Sequence, residues 1–323
     1  MSDKKYMQIA LNLAHRGLGR TWPNPSVGCV IVKDGEIIAR TRTANSGRPH
    51  AESLALKNIN AKNATVYVTL EPCSHHGKTP PCAEALVEAG VAEVVIGCID
   101  SDKRVSGNGI KILEKAGIKV TTGILEKECR ELNKGFFKHV EKALPYVMLK
   151  IAVSKDAKYL SGDGKPKWVT GELARNYVQL LRSQYEAILT GTGTVLADNP
   201  QLNCRLSGME DFSPVKIVVG ETVIPKTANI FNGKETWLYS GDLKRVLKAL
   251  AERGITRIMV EAGPTLSNAF LKAGLVDEVV IFQSPQVLGK HGDDFFAPKA
   301  LDKFHKIDER EIGDDLMLRL TNN

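Results

Sequence analysis

Apolar residues recur along this chain with two spacings that alternate. In "KKYMQIALNLAHRG" they fall three or four apart, as on one face of a helix. "VGCVIVKDGEIIAR" reads instead as two strands around an Asp34-Gly35 turn. The pattern continues with a helix over "HAESLALKNI", a strand over "ATVYVTLEP" and a helix over "CAEALVEAG" that Gly90 closes. A strand at "VAEVVIGCID", a helix at "GIKILEKAG" closed by Gly117, and a strand at "IKVTTGIL" follow. "EKECRELNKGFFKHVEKAL" predicts one long charged helix. Strands alternating with short helices predict a layered α/β sheet.

Pro145 ends that run, and the extended apolar stretch "YVMLKIAVS" starts a second alternating series. The boundary is therefore expected near 143–146, giving domains over 1–144 and 145–323. The second series predicts a helix at "GELARNYVQLLRSQ" and strands at "EAILTGTGTVL", "VKIVVG" and "TWLYS". A helix at "DLKRVLKALAERG", a strand at "ITRIMVEAG", a helix at "TLSNAFLKAG" and a strand at "VDEVVIFQSP" follow, and "DLMLRLTN" is expected as an edge strand. Repeats and low-complexity segments are absent.

Composition narrows the class. The 323 residues suit two domains rather than one core. Hydrophobic residues make up 43% and charged residues 25%, ordinary values for a soluble globular protein. No apolar run approaches the ~20 residues needed to span a bilayer. "MSDKKYMQIALNLAHRG" lacks the apolar core of a secretory signal, so a cytoplasmic protein with no membrane partner is expected. The six cysteines are too scattered for a disulfide framework and read as reduced thiols with one metal pair. The net charge of +7 is uneven: residues 1–145 carry 21 Lys/Arg against 15 Asp/Glu, and the remainder 23 against 22. That excess favours anionic ligands. The absence of a dense Lys/Arg tract argues against nucleic acid.

Chemistry concentrates first in "HAE" and "TLEPCSHHGKTPPC". His50 and Glu52 stand at a helix start, Cys73 at a strand end, and Cys82 at the next helix start. One His and two Cys make three zinc ligands with the fourth tetrahedral position open, the arrangement of a catalytic rather than a structural site. A helix N-terminus favours a thiolate, so Cys82 is placed to ionise. Zinc there would acidify water, and Glu52 would carry the proton to a leaving amine. The order His-x-Glu … Pro-Cys … Cys is that of zinc deaminases acting on nucleobases. His75 and His76 would close the site if they were ligands, so they are expected as loop residues. Cys29, Cys98 and Cys129 are expected in the core.

The second half offers weaker signals. "IMVEAGPTLSNAF" reads as strand, turn and helix, with Gly263 admitting a ligand close to the backbone and Pro264 at the first helical position. The N–H groups from Thr265 onward would face an anion. The turn at Gly191–Gly193 lacks both the full Gly-x-Gly-x-x-Gly and a strand–helix context, so no nicotinamide fingerprint is present. Arg182 and Arg205 suit a phosphate, although Arg182 on an amphipathic helix also fits a solvated face.

"TWPNPSVGCVIV", "HAE", "TLEPCSHHGKTPPC" and "GNGIKILEKAGI" resemble the deaminase half of the bifunctional riboflavin-biosynthesis deaminase–reductase family. "WVTGELARNYVQLLRSQYEAILTGTGTVLADNPQLNCR" and "VEAGPTLSNAFLKAGLVDE" resemble its reductase half, so the likeness covers nearly the whole chain. It implies a cytidine-deaminase-like three-layer α/β domain followed by a dihydrofolate-reductase-like one. It implies zinc-dependent deamination of a diaminopyrimidinone ribosylamino 5′-phosphate, then NADPH-dependent reduction of the ribosyl group to ribityl. His50, Cys73 and Cys82 would bind zinc, Glu52 would shuttle the proton, and Asn24, Lys78 and Asp100 would contact substrate. Ala152, Trp168, Thr194, Asp198, Gly263, Pro264, Thr265, Leu266, Ser267, Asn268 and Ala269 would meet NADPH. Arg182, Leu202, Arg205 and Glu261 would meet the second substrate. Small phosphorylated pyrimidines would be the partners, with a homodimer through the reductase domain. Thr43 stands where the family commonly has His, Asp102 where it has Asn, and "SKDA" (Ser154 to Ala157) where it has Ser-Leu-Asp-Gly. The competing readings are a nucleic-acid base deaminase and a binding protein with structural zinc, and Glu52 speaks against the latter.

Overall fold

The computed structural model describes residues 2–75, 80–102, 105–159 and 168–322. Two compact units are present, Met1–Leu144 and Pro145–Asn323.

Unit one runs α1 (Asp3–His15), β1 (Gly28–Lys33), β2 (Glu36–Arg42), α2 (Ala51–Ala55), β3 (Thr65–Leu70), α3 (Cys82–Glu88), β4 (Glu93–Cys98), α4 (Asn108–Lys115), β5 (Lys119–Thr122), α5 (Glu126–Leu132) and α6 (Lys134–Lys142). Its sheet has the order β2-β1-β3-β4-β5. β1 pairs antiparallel with β2 and β3, while β3, β4 and β5 are parallel. Helices α1 and α5 touch each other and the sheet, and α2, α3 and α4 form a second contacting set. The continuous apolar runs of β1, β3 and β4 are explained by burial on both faces. Gly28 is required where α1 crosses β1, since a Cβ there would collide with the Ala10 carbonyl.

The single long helix expected at residues 126–144 is two helices. Asn133 between them has φ −101° and ψ 20°. Its side chain is buried and bonded to both backbone groups of Ser26, accepting from N at 2.9 Å and donating to O at 3.0 Å. Two bonds to the chain 107 residues away outweigh continued helix.

Unit two runs β6 (Tyr146–Val153), β7 (Lys158–Tyr159), α7 (Glu172–Ser183), β8 (Ala187–Gly191), α8 (Thr192–Asp198), β9 (Val215–Val219), β10 (Thr236–Tyr239), α9 (Leu243–Glu252), β11 (Arg257–Val260), α10 (Pro264–Lys272), β12 (Glu278–Gln283), β13 (Asp293–Asp294), β14 (His305–Ile312) and β15 (Asp315–Thr321). The large sheet has the order β10-β9-β8-β11-β6-β12-β15-β14. Its first six strands are parallel, and β15 and β14 are antiparallel additions.

Two expectations fail here. The strand expected over "EAILTGTGTVL" stops at Gly191, and Thr192 begins α8. The Gly191–Gly193 turn therefore does have a strand–helix context. "DLMLRLTN" is not the edge either: β15 lies inside β14. The sequence "HKIDEREI" of β14 is mostly exposed, so no apolar alternation marked it, and its charges suit an edge strand.

Candidate functional sites

In unit one, β3 and the starts of α2 and α3 bring three donors together. His50 is the N-cap of α2, Cys73 lies three residues beyond β3, and Cys82 opens α3. The His50 Nδ1 lies 3.6 Å from Cys73 Sγ and 3.4 Å from Cys82 Sγ. All three donor atoms lie within 4.8 Å of one another, and no other His, Cys, Asp or Glu joins them among the described residues. A tetrahedral zinc with ordinary Zn–S and Zn–N bonds separates such N and S atoms by about 3.6 Å. The residues therefore fit zinc in donor type, number and spacing.

The first turn of α3 serves Cys73 as well as Cys82. The Cys82 backbone N–H, at the first turn of α3, donates to Cys73 Sγ at 3.3 Å. Hydrogen bonds from Cys82 and His50 pull Cys73 down to about 4, although burial opposes them. Cys82 is pushed up, by its bond with Cys73 and by burial. Glu52, in the first turn of α2, is 4% exposed. Burial raises it to about 7, against the opposing effect of His50.

The surrounding candidates are placed as follows. Asn24 Nδ2 donates to the Gly47 carbonyl at 2.8 Å, bridging to the turn before His50. Asp100 is buried, and its Oδ1 accepts from Asp102 N at 2.8 Å. Thr43, where the family has His, is 2% exposed and its Oγ1 accepts from Val27 N at 3.0 Å, so it faces the backbone of β1's approach. Lys78 and His76 lie outside the described residues. Cys29, Cys98 and Cys129 are buried, as expected.

In unit two the candidates gather beyond the carboxyl ends of β8, β11 and β6. The sheet order reverses there, the usual place for a ligand crevice in a parallel sheet. The Gly263 N–H donates to Thr194 Oγ1 at 3.1 Å, tying the two glycine turns together. Arg182 is no solvated face residue. It is 7% exposed and grips Glu261 with Nε to Oε2 at 3.1 Å and Nη2 to Oε1 at 2.9 Å. Its Nη1 donates to the Asn203 carbonyl at 3.0 Å. Lys150 Nζ reaches Glu261 Oε1 at 3.4 Å. Burial alone would raise Glu261, but Arg182 and Lys150 override it and hold it at about 2. Lys150 was missed in the sequence, although a lysine within the apolar strand "YVMLKIAV" signals a buried partner. Arg205 is exposed; its Nη1 donates to Asn203 Oδ1 at 2.9 Å, and its backbone N donates to Gln179 Oε1. Leu202 is buried at φ 50°.

Two cofactor candidates face inward. Ser267 Oγ donates to the Ala262 carbonyl. The Asn268 amide donates to Pro264 O and Phe295 O and accepts from Ala297 N, so it fixes the segment around 295–297 against α10. Gly263, Pro264, Thr265, Leu266 and Ala269 form the start and outer turn of α10. Asp198 closes α8 and is exposed, Ala152 is half-buried in β6, and Trp168 is exposed beneath the Arg175 guanidinium.

Comparison with known proteins resolves the two halves. Residues 145–318 match the model described as RibD C-terminal domain, and residues 1–98 match the cytidine and deoxycytidylate deaminase zinc-binding region. The riboflavin biosynthesis protein RibD of Escherichia coli K12 is 40% identical, with 99% of each chain covered. The chain belongs to the RibD family. The RibD of Aquifex aeolicus is 36% identical over 98% of this chain and 97% of its own. Among solved structures, Acinetobacter baumannii RibD has a TM-score of 0.91 at 39% identity, covering 99% of this chain and 98% of that one. A Thermotoga maritima diaminohydroxyphosphoribosylaminopyrimidine deaminase/5-amino-6-(5-phosphoribosylamino)uracil reductase has a TM-score of 0.91 at 35% identity, with 99% and 98% covered. RibD is a bifunctional deaminase–reductase of riboflavin biosynthesis, and the zinc-binding region includes His50, Glu52, Cys73 and Cys82. No described helix is long and apolar enough to cross a membrane.

Proposed function

We propose that this chain carries out both reactions named for the Thermotoga relative. Unit one deaminates the diaminopyrimidine ribosylamino phosphate, and unit two reduces the ribosyl group of the resulting uracil to ribityl. The observation that carries the reading is the three-donor cluster of His50, Cys73 and Cys82 with buried Glu52 two residues along the chain.

His50, Cys73 and Cys82 would hold zinc, which would supply the Lewis acidity that makes water a nucleophile at neutral pH. Glu52, kept near neutrality by its buried position, takes a proton from the attacking water and returns it to the departing amine. Asn24 and Asp100 orient the pyrimidine, and Lys78 pairs with the phosphate.

In unit two, NADPH when bound would be the source of the hydride. Thr194, Asp198, Ala152, Trp168 and the stretch Gly263 to Ala269 would hold it, and the N–H groups of the first turn of α10 would suit its phosphates. Arg205 is the more open cation for substrate phosphate. Glu261, ionised by Arg182 and Lys150, is a fixed negative charge beside the substrate rather than a proton store. Self-association through unit two completes the reading, and sedimentation of the purified protein reads it directly.

The test uses the zinc-loaded protein, the diaminopyrimidine substrate and NADPH, with ammonia release and NADPH oxidation followed separately. Both signals are expected, ammonia first. Neither appearing sinks the proposal; ammonia alone removes the reductase half.

A further inference from the structure

Glu71 immediately follows β3 and lies two residues before Cys73, yet it does not belong to the metal cluster. It is 3% exposed. No cationic side chain pairs with its carboxylate among the described residues; four backbone N–H groups do. Oε2 accepts from Asp100 N at 3.3 Å and from Gly107 N at 3.0 Å. Oε1 accepts from Gly109 N at 3.0 Å and Ile110 N at 3.4 Å. Gly107 is the N-cap of α4 and supplies no side-chain cap, so Glu71 caps that helix from outside. The Glu71 backbone also donates to Cys98 O at 3.0 Å. Gly109 comes so close that an added Cβ would collide with the Pro72 carbonyl. One carboxylate thus joins the strand end that leads to Cys73 with the segment that leads to Asp100, whose own Oδ1 takes Asp102 N.

We infer that Glu71 is a positioning residue of the deaminase: its carboxylate fixes the backbone of Asp100 and the start of α4 at a set distance from the zinc ligands, and so sets the affinity for the pyrimidine substrate. The inference rests on the deaminase reading of unit one. It assigns Glu71 no contact with substrate or metal. The Glu71 side chain suits the role because its two oxygens accept four N–H groups at once. Glutamine has the same shape but turns an amide N–H₂ towards two of those donors, leaving them unsatisfied.

The experiment measures deaminase KM and kcat, zinc content and the reductase rate on the deaminated substrate for wild type, Glu71→Gln and the gentler Glu71→Asp. Glu71→Gln is expected to raise deaminase KM about tenfold or more, with kcat changed less than about twofold. Glu71→Asp falls between it and wild type. Zinc stays at one per chain, and the reductase rate does not move. In an Asp100→Ala background the Glu71→Gln effect on KM shrinks to less than about twofold, because both changes act through one contact. The inference is overturned by an unchanged KM in both Glu71 variants, by equal losses of zinc and activity, or by a KM effect that persists in full without Asp100. A wild-type protein that releases no ammonia would instead refute the deaminase reading itself.

Discussion

Glu52, buried, and Glu261, half-buried, are glutamates in the two candidate sites, and their surroundings drive them in opposite directions. Glu52 has burial and nearby Cys73 against it, with His50 as the main compensation, and it rises to about 7. Glu261 is gripped by Arg182 and approached by Lys150, and it falls to about 2. The contrast separates two uses of one side chain. A carboxyl that gains and loses a proton near neutrality can serve as a shuttle. A carboxylate clamped between two cations cannot, but it can hold those cations and a ligand in fixed positions. On the proposed reading, the deaminase unit uses Glu52 for proton transfer, whereas the reductase unit leaves its chemistry to the cofactor and uses Glu261 for geometry.

Removing each acid breaks the comparison most sharply. Glu52→Gln is expected to cut ammonia release by about 10²–10⁴-fold or more while zinc content and the reductase rate stay at wild-type levels. A variant that still deaminates at more than about a tenth of the wild-type rate would mean Glu52 is not the shuttle. Glu261→Gln should act differently, through stability as well as rate. It leaves buried Arg182 and half-buried Lys150 without their counter-charge, at a cost of about 3–5 kcal/mol. Unit two should then melt earlier in calorimetry, and NADPH oxidation should fall, with ammonia release untouched. Unchanged melting would show that the Arg182–Glu261 pair contributes nothing net.

The same contrast explains what the sequence disclosed. The zinc site was legible because metal chemistry restricts the residue types, and its three ligands span residues 50 to 82. Ion pairing imposes no such spacing. Arg182 and Glu261 lie 79 residues apart, and Lys150 and Glu261 lie 111 apart, so only the folded sheet unites them. Helix α8 hid behind the Thr and Val of "TGTVL", which favour strand in isolation. The break at Asn133 was invisible because the flanking sequence remains helical, and the cause sits at Ser26. Strand β14 carries no alternation because neither face is well buried. Glu71 was hidden for another reason: its partners are backbone N–H groups, which every residue has.

Acid should separate the units by a smaller margin. Glu261 ionises in the folded protein at about 2 and in the unfolded chain near the ordinary 4.5. Its folded value is the lower one, so its contribution is complete above pH 4.5 and is lost as pH falls from there towards 2. On the order of 3 kcal/mol of stability goes with it. Denaturant melts of wild type and Glu261→Gln across that window give the check. Wild type should lose stability more steeply, and parallel curves would show that the Glu261 clamp plays no part in acid unfolding.

The smallest effect concerns two turns. Unit one joins β1 to β2 through Asp34 at φ 52° and Gly35 at φ 83°, residue types that tolerate left-handed backbone. Unit two joins β6 to β7 through Ser154 to Ala157, with Ala157 at φ 58°. Alanine gains nothing from that conformation and carries its Cβ strain. Asp156 holds the turn in place: it accepts from Ser154 Oγ at 2.6 Å and from the N–H groups of Leu288 and Gly289 at 3.0 and 2.8 Å. Those bonds, led by the Ser154 hydroxyl, lower Asp156 to about 2. Asp156 pins Ala157 in this strained conformation, so Ala157→Gly relieves strain and loses no bond. The gain is about 0.5–1 kcal/mol after the added freedom of the unfolded glycine is subtracted. Unit two should melt about 1–3 °C higher, with both activities unchanged. A lower melting temperature would show that the unfolded-state entropy outweighs the strain, and that this turn, unlike the Asp34-Gly35 turn, does not need a glycine.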